Sequence, residues 1–89
     1  MAYILNMPDK LARVLPIPAD SSKVTLYADA LTTEAIAPVV RLGFGPAWSL
    51  VEAKPTWDSP VVVTVPPGEN KISVTRIDAG DVPVTFNFS

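Results

Sequence analysis

Near its C-terminal end the chain alternates strictly: Val82, Val84, Phe86 and Phe88 share one parity, and Pro83, Thr85, Asn87 and Ser89 the other. A period of two lets a strand bury one face and wet the other, so the pattern predicts a strand over 82–88. Lys23–Ala28 repeats it, with Val24, Leu26 and Ala28 opposed to Lys23, Thr25 and Tyr27. Val61–Val65 and Lys71–Ile77 are rich in β-branched residues and predict two more strands, separated by Pro66-Pro67-Gly68-Glu69-Asn70. Pro67 and Gly68 suit the second and third positions of a type II turn, where glycine takes the positive φ. Type II turns do not match the twist of a tight hairpin. Residues 60–77 therefore form either a hairpin or a corner between two sheets.

The remaining segments are shorter. Ile36–Leu42 predicts a strand with Pro38 near its start, Gly43-Phe44-Gly45-Pro46 a turn, and Ala47–Glu52 a strand carrying Trp48 and Leu50 on one face. Asp29–Ala35 reads as a connector with one helical turn begun by Thr32 or Thr33, Lys54–Pro60 as a loop presenting Trp57, and Asp78–Asp81 as a turn. Residues 1–22 are the least regular. Tyr3-Ile4-Leu5 reads as a short strand. Leu11 and Leu15 fit one helix face by their spacing of four, or one strand face together with Arg13. Pro16-Ile17-Pro18 imposes an extended path. This segment is either an arm reaching onto a neighbour or an edge segment packed on its own domain. The expectation is an all-β, antiparallel β-sandwich, Ig-like or jelly-roll-like, of six to eight short strands. It occupies 23–89, with Trp48, Phe86 and Phe88 in its core.

Composition narrows the chemistry. With 89 residues the chain makes one small domain with a barely sufficient core. It has neither cysteine nor histidine, so disulfides, thiolate metal sites and the usual neutral-pH proton shuttle are excluded. No cofactor is expected, and nothing activates the serines and threonines as nucleophiles, so the expectation is a protein that is not an enzyme. Lysines and arginines number 7 in a net charge of −2 and are scattered along the chain, which argues against nucleic acid. No apolar run approaches the length of a membrane helix, and the N-terminus lacks the pattern of a secretory signal. These features predict no membrane partner and synthesis in the cytoplasm. Charged residues make up 18% of the chain, below the roughly 25% usual for soluble domains. A small domain cannot hide such an apolar surplus, so part of its surface is expected to be covered in a homo-oligomer or by another protein.

Candidate sites are few. Asp78-Ala79-Gly80-Asp81 offers two carboxylates, where calcium needs six to eight oxygens, and reads as a plain turn. Glu52, Asp58 and Glu69 could be imagined as a glycosidase pair, but read as solvated charges. Trp57 in its proline-flanked loop suits a protein contact, a plug over the core or a sugar platform, with the first two favoured over the sugar platform by tryptophan's enrichment at interfaces. The expected partner-binding residues are Tyr3, Ile4, Leu5, Leu11, Leu15, Ile17 and Trp57.

The stretch Val63-Thr64-Val65-Pro66-Pro67-Gly68-Glu69-Asn70-Lys71-Ile72-Ser73-Val74 resembles the strand–V-P-x-G–strand unit of immunoglobulin-like sandwiches. Such units recur in small accessory domains of tailed-phage virions, including head decoration and head-fibre proteins, and in bacterial surface modules. The short, cysteine-free, acidic, proline-rich chain is similar in style to those accessory proteins. The resemblance implies a viral structural protein that binds a capsid or other virion lattice, made in the host cytoplasm and located in the virion. The competing expectation is a small carbohydrate-binding or adhesion module.

Overall fold

Eight β-strands are present in the computed structural model, which describes residues 2–5, 12–29, 31–44 and 49–89. They are β1 (Ala2–Leu5), β2 (Ala12–Pro16), β3 (Lys23–Ala28), β4 (Val40–Phe44), β5 (Ser49–Ala53), β6 (Val61–Thr64), β7 (Lys71–Arg76) and β8 (Val84–Phe88). Two four-stranded sheets have the orders β1-β8-β3-β6 and β2-β7-β4-β5, and every paired neighbour is antiparallel.

The two orders share one logic. β1 pairs with β8, β2 with β7, β3 with β6 and β4 with β5, as in a long antiparallel ribbon. Wrapping that ribbon so that successive rungs fall on alternate sheets creates the two extra seams, β8 on β3 and β7 on β4. That is the double Greek key of an eight-stranded jelly roll. Of the two sandwich forms expected, the immunoglobulin order pairs its first two strands in one sheet. Here β1 and β2 lie in different sheets.

Alternation places the core where the sequence pattern puts it. Val24 and Leu26 of β3, Ile72 and Val74 of β7, and Val84, Phe86 and Phe88 of β8 are buried between the sheets with Val40, Leu42 and Phe44 of β4. Sealing each of these side chains from water contributes about 1.5–3 kcal/mol. Trp48 lies outside the described residues.

Between β6 and β7 the chain leaves one sheet and enters the other, so 60–77 is the corner and not the hairpin. Gly68 has φ 85°, and the Glu69 amide donates to the Pro66 carbonyl at 3.3 Å, as a type II turn requires.

Several expected boundaries move. The fourth strand starts at Val40: Ile36 lies in a turn closed by its amide on the Thr33 carbonyl, and Pro38 precedes the ladder it cannot join. Thr33–Ile36 is this single turn and not a helix. Gly43 and Phe44 extend the strand because Phe44 stands opposite Ile72 and is buried, which outweighs the turn preference of the glycines around it. In β5 the parity is reversed: Val51 and Ala53 pack on the core and Leu50 faces out.

In residues 1–22 the described parts are edge strands of both sheets. Ala2–Leu5 adds to β8, and Ala12–Pro16 adds to β7, with Pro16 tolerated at the rim. Leu15 belongs to a strand and not to a helix face.

Candidate functional site

Antiparallel pairing throughout sorts the connections between two ends of the sandwich. Residues 29–39, 54–60 and 77–83 meet at one end. Residues 17–22 and 65–70 lie at the other, where Ser89 is locked on by its amide to the Lys23 carbonyl and by its carbonyl to the Ser22 and Lys23 amides.

Among the described residues, three tethered loops build the first end. The Trp57 amide donates to the Thr32 carbonyl at 3.4 Å, joining the β5–β6 loop to the β3–β4 loop. Within the β5–β6 loop, Thr56 and Ser59 bridge each other, and the Thr56 hydroxyl donates to Asp58 at 2.9 Å. Thr32 is buried to 1% exposure, and its hydroxyl has no hydrogen-bond partner among the described residues. Between the two loops lies a cleft of about 380 Å³ lined by Thr32, Thr33, Glu34, Thr56, Trp57, Asp58 and Ser59.

The third loop is held by an ion pair. Arg76, 2% exposed, donates to Asp78 at 2.8 and 3.0 Å and to the Val82 carbonyl at 2.7 Å. Asp78 also accepts from the amides of Val39, at 3.0 Å, and Gly80, at 2.9 Å. Burial pushes the Asp78 carboxyl up. The hydrogen bonds from Arg76, Val39 and Gly80, with the guanidinium charge, outweigh it and hold the group below its ordinary value. One Asp78 carboxylate thus ties the β7–β8 loop to the chain entering β4. Its oxygens are spent on these four donors and are not arranged as a cation cage.

These tethers display apolar side chains to water. Leu31 is 84% exposed, and Ile36 and Trp57 are each 55% exposed. The same loops carry exposed Asp29, Glu34, Asp58 and Asp81 against Lys54 alone, setting aside the Arg76–Asp78 pair. At the opposite end Asp20 and Glu69 are matched by Lys23 and Lys71. Among the described residues, the loops of the Leu31–Trp57 end are therefore net acidic.

The expected contact residues do not converge. Tyr3, Ile4 and Leu5 stand opposite Phe86, Thr85 and Val84 in the β1–β8 ladder. Leu11 lies outside the described residues. Leu15 packs half-buried against the core. Ile17, 6% exposed, is a core residue whose amide donates to the Asn70 carbonyl, and it offers no surface to a partner. Of the set, Trp57 is an exposed side chain at the loop end. Leu31 and Ile36 join it there. Their signal in the sequence is an apolar residue inside the 29–35 connector and another at the start of the 36–42 strand pattern.

Searches against protein-family models, curated proteins and solved structures find no match for this chain.

Proposed function

We propose that this chain is a non-catalytic interaction protein of a large assembly, docking onto a protein lattice through its β3–β4 and β5–β6 loops. The carrying observation is that Trp57 and Leu31 stand exposed on two neighbouring loops joined by the Trp57 amide on the Thr32 carbonyl at 3.4 Å. Exposed large apolar side chains gain by being covered, and tryptophan is a frequent anchor at interfaces. The surrounding carboxylates suit a lattice surface that is basic around an apolar recess. The short, cysteine-free, acidic, proline-rich chain is similar in style to phage accessory proteins, which supports a virion as the assembly and the capsid shell as the lattice. The loop end lies opposite the Ser89 end, so it can meet a surface while the other end points away.

Co-sedimentation with assembled capsid shells of the virus carrying the gene tests this. The chain should pellet with the shells, and Trp57→Ala should weaken binding about 30-fold, the loss expected of an interface anchor worth roughly 2 kcal/mol. Absence of the wild-type chain from the pellet would overturn the proposal.

A second reading rests on the cleft itself. An indole beside hydroxyls and carboxylates is also a surface on which a sugar ring can stack and hydrogen-bond. Tryptophan fluorescence separates the two: a blue shift on adding soluble polysaccharide, with no capsid binding, assigns the cleft to a saccharide.

A further inference from the structure

The strands β1 and β6 are the edges of one sheet, and β2 and β5 the edges of the other. Sheet edges invite pairing with another chain unless charge, proline or irregularity blocks them. β2 carries Arg13 and Pro16, and β5 carries Glu52. β1, Ala-Tyr-Ile-Leu, carries neither, nor does β6, Val-Val-Val-Thr, which alone of the two is closed at both ends by proline.

Its hydrogen-bonding pattern is specific. Lys23 exchanges both bonds with Ser89 on the β8 side, so Val24 and Leu26 turn theirs toward β6, and the Val65 amide reaches the Ser22 carbonyl at 2.9 Å in the same register. Alternation along the ladder then directs the amides and carbonyls of Val63 and Val61 toward β3, in register with Val24 and Leu26. Those of Val62 and Thr64 point away from the sheet, and no backbone bond among the described residues occupies them. The next positions of the same parity are Pro60 and Pro66, which have no amide hydrogen to offer. The free edge thus presents two donors and two acceptors, bounded on both sides by proline.

We propose that β6 pairs antiparallel with β6 of a second copy about a two-fold axis at Val63, joining the two sheets into one of eight strands. In this register Val62 faces Thr64 of the other copy, and Thr64 faces its Val62, so every outward amide meets a carbonyl. A slip of two residues sets a proline against an acceptor, which leaves the centred register as the complete one. The uncharged strand brings no like charges together on the axis. Val62, 59% exposed, and Tyr27, 40% exposed on the same outer face, are partly covered by the pairing. A second copy is the natural occupant because the pattern is its own complement under the two-fold.

Sedimentation equilibrium of the full chain from micromolar to millimolar concentration tests the proposal, with Val62→Pro and Thr64→Pro as variants. Each substitution removes an outward donor that the monomer does not use. A concentration-dependent dimer that is lost in either variant, with its thermal transition retained, supports β6 pairing. If both variants fail to fold, amide exchange of the wild-type chain decides: Val62 and Thr64 should gain protection as concentration rises. A wild-type chain that stays monomeric at millimolar concentration overturns the proposal. So does a dimer that persists in the folded variants, or one whose Val62 and Thr64 amides remain unprotected.

Discussion

Arg76 shares the inward parity of β7 with Ile72 and Val74, so its guanidinium enters a region where an unpaired charge would be very costly. Asp78, two residues on, answers that charge and also accepts the Val39 and Gly80 amides. Neutralising it by Asp78→Asn should lower stability at neutral pH by about 2 kcal/mol, since a buried arginine then keeps only part of its bonding. The same carboxylate sets a pH dependence. Its folded-state value lies below the unfolded one, so its contribution is complete above the unfolded value of about 3.9. The contribution fades as pH falls from there through the folded value. Urea unfolding at a series of pH values should show wild type losing stability below about pH 4 more steeply than Asp78→Asn. Parallel acid limbs in the two proteins would refute the linkage. Nothing in the sequence marked this pair: Arg76 reads as one scattered base and Asp78 as a turn residue, until the parity of β7 is known.

At the scale of elements, the β6–β7 corner shows what local pattern can and cannot specify. Pro67 and Gly68 name the turn type unaided, because φ preferences belong to single residues. They do not say whether the next strand returns to the same sheet, because that depends on which faces are free to pack. Gly68 has φ 85° with nothing within 4 Å of where a Cβ would stand, so a substitution there meets backbone strain alone. Gly68→Ala should cost about 1 kcal/mol, and Gly68→Asn less, since asparagine tolerates the left-handed region better. Thermal unfolding measures both, and equal costs for Ala and Asn would contradict a purely conformational penalty. The same division explains the rest of the fold. β3, β7 and β8 were legible because one face of each is buried and the other wet. β4 was misplaced because Gly43 is a turn former held in a strand by a long-range partner, Ser73. Leu31 resisted reading for the complementary reason that an apolar residue in a connector does not announce whether another loop will cover it, and Ile36 because it continues the apolar run of the strand that follows.

Across the whole molecule, the decisive contacts join distant parts of the sequence, which is why alternation reveals strands but not their order. Ala2 pairs with Asn87 and Leu5 with Val84, so closing the β1–β8 ladder brings together nearly the whole chain. Loop closure costs entropy before such contacts stabilise anything, and folds dominated by non-local pairing reach their native state in roughly milliseconds to seconds. The acidic residues around Leu31 and Trp57 come together in the same way, from loops that only the topology collects. One rearrangement isolates the kinetic consequence. The β1 and β8 ends are ladder neighbours, so a short glycine-rich linker can join them, and new termini can open between the exposed residues Ala19 and Asp20. Opening there sacrifices the turn bond from the Ser21 amide to the Pro18 carbonyl, a loss of about 1 kcal/mol. In the permuted chain β8 and β1 become a hairpin, their pairing turns local, and the mean sequence separation of contacts falls. Stopped-flow refolding should therefore be faster than for the original order, although the equilibrium stability is slightly lower. A permutant that folds to the same far-UV spectrum at an unchanged or slower rate would show that β1–β8 closure lies after the rate-limiting step.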